Sequence, residues 1–501
     1  MSTTNKENYI YPATLLCDFY KISHREQYPK ETEVVYSTWT PRASRIAGVD
    51  KVVAFGFQGF VKEFLIDYFN EYFFSRPKKN VVDEYRRFIK YTLGRENPET
   101  QHIEKLHDLG YVPVLIKAVK EGTLVPIRVP MLTIENTLPE FFWVTNYLET
   151  LLSCQLWIAS TSATLALQYR KIMDQFCEMT GGAKDFVQFC GHDFSMRGLA
   201  SLSAAQLSGA GHLLSFTGTD TPPAVLYLER YYNADIEKEL VGTAIPATEH
   251  SVMEVFGRNE YESYKYLMTE VYPTGFLSIV SDTWDLWNVL DNVVKPLKDV
   301  IMAREGRVVI RPDSGDPIKI MCGDPDGETE NERKGVVEIL WDTFGGFTTD
   351  KGFKHLDTHI GCIYGEAITI DSCRDILQQL ADKGFASTNM VFGIGSFTYQ
   401  RKTRDDFGFS LKSTYAVVGG EERKIYKDPI TDKDRYKKSQ KGLVVVTKDD
   451  NGKIIFMDDL NREQQKEYQS VDLLEPVFKN GELLREESLS EIRNRVSASI
   501  D

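Results

Sequence analysis

Short apolar runs and helix-period stretches alternate along the middle of this chain. FLSIV (276–280), RVVIRP (307–312), IGCIYG (360–365) and MVFGIG (390–395) read as strands rich in Val, Ile, Leu and Phe, as do FVQFC (186–190) and LLSF (213–216). Between them, DLWNVLDNVVKPLKDVIMA and DSCRDILQQLADKG carry apolar residues at helical spacing. Such alternation predicts βαβ units and a parallel sheet. With roughly six or seven units, the expected architecture over 184–400 is α/β, an irregular or incomplete parallel β/α barrel.

The flanks read differently. In 1–183, VVYSTWT (34–40) predicts a strand, and 112–134 is β-rich with a turn at Glu121-Gly122. A helix follows Pro139, and a stripe of Leu165, Tyr169, Ile172 and Phe176 predicts another, stopped by Gly181-Gly182. Residues 401–501 turn β-rich again, with a hairpin centred on Asp450-Asn451-Gly452. The two end segments are expected to pack together as an α/β domain against the barrel. RYKKSQK (435–441) reads as a solvated basic loop.

Composition narrows the function classes. The length of 501 residues exceeds one ordinary core, and 42% hydrophobic with 26% charged residues is usual for a globular enzyme. A net charge of −14 argues against a nucleic-acid surface. No window approaches a membrane-spanning length of apolar residues, and MSTTNKENYIYPATLL lacks a basic region followed by an apolar core, so neither a membrane span nor a leader is expected. The seven cysteines are scattered without a C-x-x-C pair, which fits neither a disulfide framework nor a zinc site and suits a reducing cytoplasm.

The chemistry collects at the ends of the apolar runs, where a barrel opens its βα loops. FVQFC leads into His192, Asp193, Phe194 and Arg197; LLSF leads into Thr217-Gly218-Thr219-Asp220. PATEHS brings Glu249 and His250, FLSIV brings Asp282, and VVI brings Arg311 and Asp313. IGCI ends in Tyr364-Gly365-Glu366, and MVF in Gly393-Ile394-Gly395-Ser396. Singly, each has a plain alternative: a strand-end ion pair for Arg311 and Asp313, a structural role for His192, a helix N-cap for Asp220. Together they read as one composite site. Arg197, Arg311 and His250 suit anionic oxygens. Gly365 and the GIGS stretch suit close backbone approach to a phosphate. Asp282, Asp313 and Glu366 suit ribose hydroxyls or hydrated Mg²⁺, and Phe194 offers a face to an aromatic ring. No P-loop is present. A barrel that only binds a nucleotide or a protein partner is the non-catalytic alternative.

These residues carry a resemblance. CDFYKISHREQYP (17–29), GHDFSMRG (191–198), FTGTD (216–220), PATEHS (246–251), SIVSD (278–282), IRPDSGDP (310–317), YGE (364–366), QRKTRD (400–405), KIYKDP (424–429) and VFKNG (477–481) are similar, in order, to motifs of the nicotinamide phosphoribosyltransferases. The resemblance implies transfer of phosphoribose from phosphoribosyl pyrophosphate to nicotinamide, assisted by ATP, in a homodimer with shared active sites. It implies that Phe194 stacks on the nicotinamide ring, with Tyr20 of the second subunit on the other face, and that Asp220 accepts from the carboxamide. It further implies Arg197, His250 and Arg311 as pyrophosphate and base ligands, and His250 as the histidine phosphorylated from ATP. Asp313, Gly365 and Glu366 would line the ribose phosphate, and Arg42, Arg404, Lys412 and Lys427 would reach phosphates across the dimer. Better-known relatives place Asp at Glu366 and a longer glycine run at Gly395-Ser396-Phe397. Nicotinate phosphoribosyltransferase, with a similar fold and reaction, is the nearest rival; a carboxylate at 220 disfavours it by like-charge repulsion.

Overall fold

The computed structural model describes residues 11–431, 433 and 438–500. Residues 1–10 of the chain start and 435–437 of the basic run lie outside them.

Six parallel strands form a curled sheet in the spatial order Gly218–Thr219, Gly191–Asp193, Met390–Ile394, Ile360–Tyr364, Glu305–Arg311, Thr274–Val280. Alternation along these strands separates two environments. Val308 and Ile310, Leu277 and Ile279, Cys362 and Tyr364 face a buried core shared with the surrounding helices. Arg307, Val309, Arg311, Phe276, Ser278, Gly361 and Ile363 face the lumen. The segment 243–248 spans the two sheet edges: Thr219 N–H donates to the Thr243 carbonyl at 2.9 Å, and Thr248 N–H to the Ser278 carbonyl at 3.0 Å. Pro246, which has no N–H, sits in this irregular closure and accepts from Ser278 N–H at 2.9 Å.

Two expected strands are absent as such. FVQFC forms helical turns ending in the helix Val187–Cys190, and the strand begins only at Gly191. The reason is a three-residue spacing: Val187 and Cys190 enter the core, while Phe186 and Phe189 reach the lumen. LLSF is a turn after the helix Leu202–His212, with Leu214 N–H bonded to the Gly211 carbonyl, and the strand is Gly218–Thr219.

The end segments meet in one antiparallel sheet, ordered Glu421–Lys424, Phe409–Val418, Thr32–Pro41, Leu132–Asn136, Val114–Ala118, Glu475–Lys479, Glu482–Leu483. Thr32–Pro41 pairs with both an N-terminal and a C-terminal strand, and Trp39 stacks on Phe409 at 5.4 Å. The hairpin Leu443–Lys448/Ile454–Leu460 turns through Gly452, at φ 76°. One long helix, Glu149–Thr180, ties sheet to barrel: Leu152 and Leu156 enter the first core, Leu165, Tyr169 and Phe176 the second. By length and composition this helix meets the measure of a membrane span, but 78% of its apolar window is buried inside the protein. It ends where Gly181 adopts φ 74° and donates to the Cys177 carbonyl.

Three parts of the chain converge on Glu121. Its buried carboxylate accepts from Gly56 N–H at 2.7 Å, Gln58 N–H at 2.6 Å and the Tyr232 hydroxyl at 3.0 Å, while its own N–H donates to Glu487. Burial, reinforced by repulsion from Glu487, pushes the Glu121 carboxyl up to about 7. The folded state then holds this proton more tightly than the unfolded chain, whose value is near 4.5. The stability so gained is complete below the unfolded value and is lost as pH rises through about 7. From about pH 5 to about pH 8, the parent's melting temperature should therefore fall relative to that of Glu121→Gln. Parallel melting curves across this range would show that Glu121 does not titrate there.

Candidate active site

The carboxyl ends of the parallel strands open into a cleft of about 900 Å³, lined by Phe194, Arg197, Asp220, His250, Arg311, Asp313, Gly365, Glu366, Gly395 and Ser396 among others. Beneath it lies a lumen cavity of about 370 Å³, and Phe194, Asp220, Ala247 and Arg311 border both. Ten expected residues thus meet in one place although they are spread over 194–396 in sequence. Asp282 joins them from beneath the turn of RPDSGDP.

Arg311 does not pair with Asp313. It donates to the Thr248 carbonyl, and its Nε is buried without a partner. Burial pushes the guanidinium below its ordinary value, opposed by Asp313, Asp220 and Asp282. A buried, unsatisfied N–H on a cation at a cleft is a strong place for a ligand acceptor. The Asp313 carboxyl is raised by burial, with Arg311 opposing and Asp282 adding to the rise. Asp282 Oδ2 accepts from Asp313 N–H at 2.8 Å and Ser314 Oγ at 2.5 Å; Oδ1 is buried without a hydrogen bond. Gly315, at φ 91°, makes the turn, and its carbonyl accepts from the Tyr364 hydroxyl at 2.8 Å. Asp316 caps the helix Pro317–Cys322.

His250 begins the helix His250–Val255; its Nδ1 lies 3.1 Å from Thr283 Oγ1 and its Nε2 3.9 Å from Asp282 Oδ1. Partly exposed, it stands between a buried carboxylate and open cleft.

Phe194 is seated by missing side chains. A Cβ on Gly393 would lie 2.2 Å from the Phe194 ring, and one on Gly365 would lie 2.7 Å from it. The glycine signal read for phosphate therefore also serves ring passage. At Gly395 a Cβ would meet nothing, so that position opens on the cleft. Beyond Gly365 the turn is strained: Ala367 has φ 52° and also lines the cleft.

Asp220 is not the N-cap of the helix Pro222–Tyr231. Thr221 holds that position, and its hydroxyl donates to Asp193 Oδ2 at 2.7 Å. The Asp220 carboxylate instead accepts from His192 Nε2 at 2.8 Å, half exposed to the cleft. His192 and Asp193 stand at a strand end that sequence reasoning placed in the site, but it assigned neither a role there. The signal for His192 was its place two residues before Phe194 on extended backbone, which puts both on one side.

Tyr20, Arg42, Arg404, Lys412 and Lys427 do not line the cleft of their own chain. Lys412 feels Arg42, Lys21 and Lys427 electrostatically; burial is the largest cause lowering its ammonium, and Glu149, 3.7 Å away, opposes. A separate cationic group thus gathers around Lys412, and Glu149 beside it also pairs with the buried Lys21. Lys21 carried no signal, since an isolated lysine in a helix reads as surface.

Among the described residues no group of three or more His, Cys, Asp or Glu is poised to hold a metal. The cleft carboxylates suit a hydrated cation that brings most of its own ligands.

Comparison with known proteins identifies the family of the chain. Residues 189–482 match the nicotinate phosphoribosyltransferase (NAPRTase) family, and 13–102 match the nicotinamide phosphoribosyltransferase N-terminal domain. A nicotinamide phosphoribosyltransferase of Acinetobacter baylyi is 47% identical over 97% of each chain. One from Xanthomonas campestris pv. campestris is 32% identical over 98% of this chain and 99% of its own. A nicotinate-nucleotide pyrophosphorylase from Pyrococcus furiosus shares the fold with a TM-score of 0.60 at 17% identity, covering 99% of this chain and 98% of that one. Human nicotinic acid phosphoribosyltransferase does so with a TM-score of 0.52 at 17% identity, covering 97% and 93%. Matched over more than half its length by that family and over nearly all of it by these relatives, the chain belongs to the nicotinate phosphoribosyltransferase family and, within it, to the nicotinamide phosphoribosyltransferases.

Proposed function

We propose that this enzyme joins nicotinamide to the phosphoribosyl group of phosphoribosyl pyrophosphate, giving nicotinamide mononucleotide and pyrophosphate for NAD salvage. The observation that carries this reading is Asp220: an ionisable carboxylate, held by His192 and open to the cleft beside Phe194 and Arg311. The pyridine ring would lie on Phe194, and its carboxamide N–H would donate to Asp220. A nicotinate carboxylate in the same place would face a like charge.

The reaction is a displacement at the anomeric carbon. The bond from that carbon to the pyrophosphate oxygen breaks, its electrons leaving with pyrophosphate. The ring nitrogen, which carries no proton, supplies the pair for the new bond, so no general base is required. Arg197, Arg311 and His250 would stabilise the departing charge, and Asp313 the oxocarbenium-like carbon. A hydrated Mg²⁺ carried by the diphosphate would offset negative charge, with the carboxylates of Asp282, Asp313 and Glu366 accepting from its waters. Positioning and electrostatics supply most of the rate under this scheme.

Two finer points belong to the proposal. Because one chain's cleft lacks Tyr20, Arg42, Arg404, Lys412 and Lys427, a homodimer in which the partner supplies them would complete the stacking on the pyridine ring and the phosphate contacts. Assistance by ATP would run through His250, the imidazole at the cleft, as transient phosphoryl acceptor.

Side-by-side assays with nicotinamide and nicotinate test the main reading. Asp220→Asn should lower kcat/KM for nicotinamide by about tenfold or more, the worth of a charge-assisted hydrogen bond, and raise it for nicotinate. An unchanged ratio of the two would defeat the role of Asp220. Mixing Arg311→Ala and Tyr20→Ala chains should restore part of the activity through hybrid sites. No recovery in mixtures shown to contain mixed dimers would count against sharing. His250→Ala should retain basal synthesis while ATP hydrolysis no longer rises with product formation; continued coupling would exclude His250 as acceptor.

A further inference from the structure

We infer that His192 and Gly218 form one positioning unit for Asp220, and through it set the choice between an amide and a carboxylate on the pyridine ring. This rests on the nicotinamide reading above. The two residues are direct partners in the parallel pairing of Gly191–Asp193 with Gly218–Thr219. An ionised carboxylate only accepts, so the 2.8 Å contact to Asp220 Oδ1 requires the proton on His192 Nε2. The imidazole is 13% exposed and meets the Phe194 ring at 5.0 Å in an edge contact. Its other side lies on Gly218, where a Cβ would come within 2.7 Å of Nδ1 and 3.2 Å of Cγ. Any side chain at 218 therefore displaces the ring that holds Asp220. The Gly218 backbone is itself fixed from beneath, its carbonyl accepting from His212 Nε2 at 3.0 Å while His212 Nδ1 meets the Tyr399 hydroxyl at 2.7 Å. The glycine of FTGTD is thus required by the histidine of GHDF.

The consequence is directional. With Oδ1 held by His192, Oδ2 has no protein hydrogen bond among the described residues and is left for a ligand N–H. The charged groups around this contact are Arg311, which Asp220 stabilises electrostatically, and Asp193 next to His192; His212 beyond the ring is pushed down to about 4 by burial and stays neutral near pH 7. Freed from His192, the Asp220 carboxylate would be drawn to the Arg311 guanidinium. Its acceptor would then be spent on a cation, and its repulsion of a substrate carboxylate would be neutralised. Loss of the unit should weaken nicotinamide and relax the exclusion of nicotinate together.

The test compares His192→Phe, His192→Gln and Gly218→Ala, with melting temperatures to confirm folding and kcat and KM for both pyridines. His192→Phe and Gly218→Ala should each lower nicotinamide kcat/KM by about tenfold, chiefly through KM, and narrow the nicotinamide-to-nicotinate ratio by about as much. His192→Gln, which offers an amide N–H near the Nε2 position, should keep the ratio within about threefold of the parent. If Phe preserves the ratio and Gln does not, His192 acts by packing and the inference is overturned. In an Asp220→Asn background, His192→Phe should change the ratio no further; an additive change would show that it does not act through Asp220. A parent enzyme with no preference for nicotinamide would sink the Asp220 reading itself. A preference lost in Asp220→Asn but intact in His192→Phe and Gly218→Ala would sink only this inference.

Discussion

A single buried carboxylate holds the base end of this site together. Asp193 is fully buried and accepts from Ser195 N–H at 2.9 Å and Ser195 Oγ at 2.6 Å on one oxygen, and from Thr221 Oγ1 at 2.7 Å on the other. The first pair closes the turn that presents Phe194; the second anchors the turn that presents Asp220. A carboxylate out of water is tolerable only when its lone pairs are satisfied, so both turns must be made for either to be stable. The spacing between an aromatic face and a carboxylate is thereby fixed by a side chain that lines neither the cleft nor the lumen cavity.

The barrel supports this arrangement by strict alternation. One set of side chains packs Val308, Ile310 and Cys362 into a core, and the other leaves Arg307, Arg311 and Ser278 around an open lumen. Glycines at 218, 365 and 393 clear the lumen side for two rings, His192 and Phe194. Close packing accounts for their identity without any appeal to flexibility. Two polar atoms beside the cleft, Arg311 Nε and Asp282 Oδ1, are buried without a hydrogen bond, which leaves them for polar groups of a ligand.

Charge is distributed on the same plan. The chain carries −14 overall, yet cations gather at two places, the strand-end cleft and the group of Lys21, Arg42 and Lys427 around Lys412. The second group lies on the sheet domain rather than at the cleft of the same chain. Glu149 offsets part of this charge, pairing with Lys21 and lying 3.7 Å from Lys412.

Much of this was legible in the sequence. The runs 276–280, 307–312, 360–365 and 390–395 are long, β-branched and bounded by turns, and each forms the expected parallel strand. The order of motifs along the chain identified the family, and strand-end placement named most residues of the cleft before any distance was known. FVQFC and LLSF misled because a run of four or five apolar residues suits a buried helical turn as well as a strand, and only the surrounding core and lumen decide. Tertiary structure alone decided that Arg311 turns to Thr248 rather than Asp313, that Asp220 meets His192 rather than a helix end, and that residues 243–248 span both edges of the sheet. Each of these depends on which backbone lies across a few ångströms of space from residues distant in the chain. Sequence determines the periodicity and chemical type of side chains, because those are local. It leaves open the partner of a polar group, because that is settled by the packing of every element around it.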